Sequence, residues 1–236
     1  LGRCRARLCA RRLGDRGMAL AVTRERLAFL CPGDGAIDVG ANVGLWTREM
    51  AAAVGPRGEV MAIEPHPVAY RAVLAFARQY SQVRAIHAGI GALALDAAEL
   101  YEDRHTERSS LWAANVLSST GQTHHVPILT LDAIFTLLRV PLRFVKVDAQ
   151  GAEAAILQGA SRTLNAFPRW YIEVWATGLR HAGATVADVL APFQARGYTV
   201  RMGDRTIDYG RAREAGEGQK GHSAVDFWMV PPDADR

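Results

Sequence analysis

The chain of 236 residues, with 49% hydrophobic and 22% charged side chains, is long enough for one domain with a complete core. It is too apolar for a disordered tail or a low-complexity linker, and no apolar run approaches the roughly 18–20 residues of a membrane-spanning helix. The first sixteen residues, with six arginines and one acid, more than account for the net charge of +4, so the remainder is near neutral and offers no surplus for a nucleic-acid backbone.

In chain order, residues 1–30 read as an Arg-rich segment and a helix over 19–30, ahead of a single domain over 31–236. Arg11-Arg12 is followed by Leu-Gly-Asp-Arg-Gly instead of an apolar stretch, so no export signal is read and a reducing cytoplasm is the expected compartment. Cys4, Cys9 and Cys31 supply neither a disulfide framework nor a paired zinc motif. Strand and helix signals then alternate. Strands are expected over 36–39, 59–63 and 83–88, with helices over 45–54 and 68–80 between them. A further strand is expected over 93–101, and residues 105–125 read mainly as loop. A helix over 131–138, a strongly apolar strand over 142–147, a helix over 152–164 and a strand over 170–174 follow. Thr185 with Asp188 makes a capping-box-like start for a helix running to Ala195. Strands over 198–202 and 225–230, joined by a polar loop, close the chain.

This alternation predicts an α/β fold with a doubly wound, mostly parallel sheet of seven strands. The last two strands have no helix between them, so they are expected as an antiparallel C-terminal hairpin.

The most informative stretch is Asp38-Val39-Gly40-Ala41-Asn42-Val43-Gly44. An apolar strand brings Asp38 to the carboxyl edge of the sheet, and the glycines let the turn pass close to a ligand. Asn42 and Leu45 break the Gly-x-Gly-x-x-Gly fingerprint that would admit a pyrophosphate. A ligand with an amino group for Asp38 and a carboxylate for the turn amides fits better. Glu64 ends the second strand, where a carboxylate can accept from both hydroxyls of a ribose. S-adenosylmethionine has both ends.

These motifs resemble the FkbM family of S-adenosylmethionine-dependent methyltransferases. The resemblance continues through Glu64-Pro65-His66-Pro67, Thr130-Leu131-Asp132-Ala133-Ile134 and Lys146-Val147-Asp148-Ala149-Gln150-Gly151-Ala152-Glu153, and it ends at Ile172-Glu173. It covers roughly residues 35–175. It implies a Rossmann-like class I methyltransferase with S-adenosyl-L-methionine held by Asp38, Gly40, Ala41, Asn42, Gly44, Glu64, Pro65 and His66, and by Gly89 and Ile90 beside the adenine. It also implies O-methylation of a hydroxyl on a sugar or natural-product small molecule. Gln150 stands where the family commonly has Glu.

Asp148 and Glu173, at the ends of neighbouring strands, are the candidate catalytic residues. Asp148 has a second reading, as an acceptor for the helix N-terminus that follows Gly151. His105 and His181 are candidate bases, His124-His125 reads as a solvated loop pair, and Lys146 as a partner for an acid rather than a catalyst. No metal is expected, because the ligand pair that catechol-type enzymes place after the fifth strand is replaced by Trp175-Ala176. Residues 105–127 and 176–184 are expected to form a lid for the acceptor. The expected partner is a small-molecule acceptor, with neither membrane nor nucleic acid, and a homodimer remains open. Two rival readings are an RNA methyltransferase and a non-catalytic partner subunit that keeps the fold.

Overall fold

A computed structural model describes residues 25–232. The Arg-rich segment and residues 19–24 of the helix expected over 19–30 lie outside the described residues. The strands are β1 Gly35–Val39, β2 Glu59–Ile63, β3 Val83–Ile86, β4 Gly89–Ile90, β5 Leu95–Asp103, β6 Ser119–Leu129, β7 Leu142–Val147, β8 Arg169–Val174, β9 Thr199–Met202, β10 Arg205–Ile207 and β11 Val225–Val230. The helices are α1 Leu45–Val54, α2 Pro67–Ala77, α3 Leu131–Phe135, α4 Glu153–Gln158, α5 Ser161–Asn165, α6 Ala176–His181, α7 Val186–Gln194 and α8 Tyr209–Glu217. Among the described residues no helix is long and apolar enough to cross a membrane.

The main sheet runs β10-β9-β11-β8-β7-β1-β2-β3, with parallel pairing from β8 to β3. Period-2 alternation assigns its side chains to two cores. Ile37, Met61, Val145, Val147, Trp170 and Ile172 face one, beneath α4 and α7. Ala36, Val60, Ala62, Phe144 and Tyr171 face the other, beneath α1, α2 and the turn that holds Leu27 and Leu30.

The sheet has eight strands where seven were expected, because β10 adds an outer edge to β9. The antiparallel C-terminal end is present, but β11 inserts between β8 and β9 and is antiparallel to both. Residues 105–125 are not simply loop: β6 pairs antiparallel with β5, and β4 completes a separate three-stranded sheet. The helix expected over 152–164 is split into α4 and α5. Gly159 packs against the Gly91 carbonyl with no room for a Cβ. Asp132 then takes the amides of Arg162 at 2.9 Å and Thr163 at 2.8 Å, starting α5 with a side chain from another element.

Candidate functional site

The sheet changes direction of growth at β1, which has β2 on one side and β7 on the other, and a crevice opens at the carboxyl ends of such neighbours. The turn leaving β1 enters left-handed backbone at Gly40, Asn42 and Gly44 (φ 73°, 47° and 83°). Gly40 must lack a side chain, since a Cβ there would overlap the Asp148 carbonyl oxygen. The amides of Gly40 and Ala41 both donate to the Ile63 carbonyl at 3.0 Å, and the Asn42 amide donates to Glu64 Oε2 at 2.7 Å. These amides therefore hold the turn onto β2, in place of the carboxylate cradle that the sequence suggested.

The cavity at this edge is lined by Gly40, Ala41, Asn42, Glu64, Pro65, Gly89, Ile90 and Asp148 from the expected set. Four expected residues are not at its surface. Asp38 is fully buried beneath the turn: its Oδ2 accepts from the Thr47 hydroxyl at 2.6 Å and its Oδ1 lies 3.4 Å from Lys146 Nζ. Its side chain points to the face covered by α1, not to the edge. Gly44 starts α1, and His66 is buried at the start of α2, where Nδ1 accepts from the Val68 amide at 3.3 Å. Glu173 stands outside the lining on β8.

Thr106, Glu107, Ser109, Ser110 and Leu111 line the cavity from the segment expected as a lid, but no residue of 176–184 does. His181 Nδ1 is engaged by Asn115 Oδ1 at 2.7 Å, and His105 lies out in solvent beside Glu107. Trp46 and Leu100 also line the cavity and were not anticipated. Trp46 is the second residue of α1 and could have been found from its place in the first turn after Gly44.

Lys146 is the electrostatic centre. Its Nζ donates to the Gly40 carbonyl at 2.6 Å and lies 3.5 Å from Asp148 Oδ2, so one buried ammonium joins Asp38, the Gly40 turn and Asp148. Burial pulls its pKa down, but Asp148 and Asp38 outweigh that and hold it above the usual lysine range. Asp148 does not cap the following helix. The helix has no side-chain cap, and the turn before it is held by Glu153, whose Oε1 accepts from the amides of Ala149 at 3.2 Å and Gly151 at 3.1 Å. Asp148 Oδ1 accepts instead from the Gln150 side-chain amide at 2.9 Å. Glutamine at position 150 thus gives Asp148 a donor where glutamate would give it a second carboxylate.

The sequence pattern of the methyltransferase FkbM domain matches residues 38–200. The chain belongs to this family. It is an S-adenosylmethionine-dependent methyltransferase domain of the FkbM type. No curated protein matches its sequence. Among solved structures it is similar in fold to the FkbM methyltransferase of Methylobacillus flagellatus KT, with 16% identity and a TM-score of 0.52 over 84% of this chain. The chain spans 44% of that protein's length. It is also similar to the precorrin-6y C5,15-methyltransferase of Geobacter metallireducens GS-15, at 13% identity and a TM-score of 0.51, over 95% of this chain and 93% of the other.

The donor set of the FkbM cavity fits this cofactor. Glu64, at its wall, uses one lone pair of each oxygen on backbone amides, Asn42 and His66, both at 2.7 Å, and each oxygen keeps acceptor capacity for a ribose hydroxyl. The Pro65 carbonyl is fixed by His87 Nε2 at 2.9 Å, and the His87 ring stacks on Tyr70. Gly89 and Ile90, with Leu100 and Leu111, offer the apolar wall that an adenine needs.

Glu64→Ala is expected to weaken cofactor binding by about 2–3 kcal/mol, the value of charge-assisted bonds lost at a buried site. Unchanged affinity by calorimetry would remove Glu64 from the site. Burial raises the Glu64 pKa to about 7, against the lowering effect of the His66 and Asn42 amides and of Lys146. Hydroxyl donors favour the ionised form, so affinity should rise with pH and level off above about 7. On a pKa of about 7, binding at pH 6 is expected to be roughly tenfold weaker than at pH 8. Glu64→Gln should flatten that part of the profile, and a profile shared by both proteins would contradict the assignment.

Proposed function

We propose that this domain methylates a hydroxyl oxygen of a small-molecule acceptor, a sugar or a natural product, with Asp148 as the group that orients the hydroxyl and receives its proton. S-adenosylmethionine, when bound, supplies an electrophilic methyl group on a sulfonium. The chain's own task is then to align the acceptor oxygen, exclude water and manage one proton.

The observation that carries this reading is the state of Asp148. It lies at the cavity, its side chain is 31% exposed, and its oxygens are taken by Gln150 and Lys146 instead of helix amides. The pair with Lys146 holds the carboxylate in place. Ser109 in the lining offers a hydroxyl to a polar acceptor, whereas the Ser110 hydroxyl is committed to the Gln150 carbonyl at 3.1 Å. Glu173 suits the role less well. Burial first, then the carboxylates of Asp148 and Asp226, push its pKa up and favour the protonated form, and the residue stands outside the cavity lining.

The test is methyl transfer from labelled cofactor to a panel of sugars, hydroxylated polyketides and RNA. Labelled methyl ether on a small hydroxylated acceptor is the expected product. Label incorporated into RNA alone would overturn this reading in favour of the RNA methyltransferase, and cofactor binding without transfer to any member would favour the non-catalytic subunit.

A further inference from the structure

Away from the cavity, three side chains from separate elements converge where the β5–β6 hairpin meets the turn after β2. His124, on β6 opposite Leu100, has its Nε2 2.9 Å from Glu102 Oε2. His66 Nε2 lies 3.8 Å from the other oxygen of Glu102. One ligand atom from each of the three residues falls within 4.8 Å of the others. The His66 ring is about 1% exposed, and its Nε2 is buried without a hydrogen-bond partner among the described residues. A buried polar atom left unpaired is costly, and here it is aimed at a carboxylate and a second imidazole.

We propose that His66, Glu102 and His124 form a binding site for a divalent transition metal, with zinc the best match. Two imidazoles and one carboxylate suit a borderline-soft ion and not magnesium or calcium, which take all-oxygen sets. The spacing lets small side-chain shifts bring all three atoms to zinc–ligand distances of about 2.0–2.2 Å. His66 is buried and Glu102 and His124 are partly exposed, so the remaining coordination position would open past those two and take water. In the metal-free chain the Val68 amide donates to His66 Nδ1, which leaves the ring proton on Nε2. Metal binding moves that proton to Nδ1 and gives up the 3.3 Å cap bond, a small cost beside a metal–nitrogen bond. The ion would fasten the hairpin to the start of α2. This inference goes beyond methyl transfer and does not depend on it.

The test uses the full chain after chelator treatment, titrated with Co²⁺ as a spectroscopic probe and then with Zn²⁺. One Co²⁺ per chain is expected, with visible ligand-field bands that Zn²⁺ abolishes. The melting temperature should rise by about 5–10 °C at a hundredfold excess of Zn²⁺ over its Kd. Glu102→Gln and His124→Ala should each weaken binding by more than about a hundredfold, beyond the loss of an outer-sphere partner. Cys31→Ser should leave it unchanged. Glu102→Gln keeps the side chain's shape, so it remains informative if His124→Ala does not fold. No equimolar binding, or bands that persist in Glu102→Gln and disappear in Cys31→Ser, would overturn the site.

Discussion

Asp148→Asn is expected to reduce turnover by at least tenfold while the melting temperature and the cofactor affinity stay close to those of the parent. A positioned general base contributes typically ~10²–10⁴-fold, and the amide cannot accept the proton. Stability should hold for reasons visible around the residue. Asparagine keeps an oxygen for the Gln150 amide, which now donates at 2.9 Å. Lys146 is not stranded, because Asp38 lies 3.4 Å away and the Gly40 carbonyl 2.6 Å away. Nor is a backbone partner lost, since Glu153 and not Asp148 accepts from the amides of Ala149 and Gly151 in the turn that follows. Turnover measured at saturating cofactor decides the matter. Activity within about threefold of the parent, well below the ~10²-fold floor for a general base, would reduce Asp148 to a counter-ion for Lys146.

Gly40→Ala should be the most damaging single methyl group in the domain. At φ 73° an alanine already pays roughly 1–2 kcal/mol for left-handed backbone. Its Cβ would also overlap the Asp148 carbonyl, and that carbonyl cannot retreat freely. The Asp148 amide donates to the Val39 carbonyl at 3.2 Å, so moving one strand end moves the other. A total cost of about 3–5 kcal/mol is expected, with loss of cofactor binding. Gly203→Ala is the matched control: it also has positive φ, 58°, but nothing lies within 4 Å of its added Cβ. Melting curves should separate the two by several degrees. Equal losses would mean that the close approach of β1 to β7 carries no weight.

The parts of this fold that were legible in the sequence are those whose burial leaves a mark on composition. β1, β2, β7 and β8 are buried on both faces and read as apolar runs bounded by turn residues. β6 was not legible, because its first seven residues, Ser-Thr-Gly-Gln-Thr-His-His, are polar and mostly exposed, and its inward packing rests on Val126, Ile128 and Leu129 at its end. β10 and α8 escaped for the same reason, lying in a polar stretch whose inward contacts rest on residues such as Ala212 and Ile207.

At the site, the glycine turn and Glu64 were legible from their positions after strands one and two. The destination of Asp38 was not: strand periodicity turns it under α1, and its pairing with Lys146 follows from the β1–β7 register, which joins residues more than a hundred positions apart. The meeting of His66, Glu102 and His124 was equally hidden, since it needs the β5–β6 register, and no spacing in the chain encodes that.

The most direct test of the account is a crystal structure of the full chain with S-adenosylhomocysteine. Both ribose hydroxyls should bond to Glu64, the adenine should lie against Ile90, and the sulfur should face the crevice between Gly40 and Asp148. A product whose ribose lies away from Glu64, or whose sulfur points away from Asp148, would contradict both the cofactor assignment and the proposed chemistry.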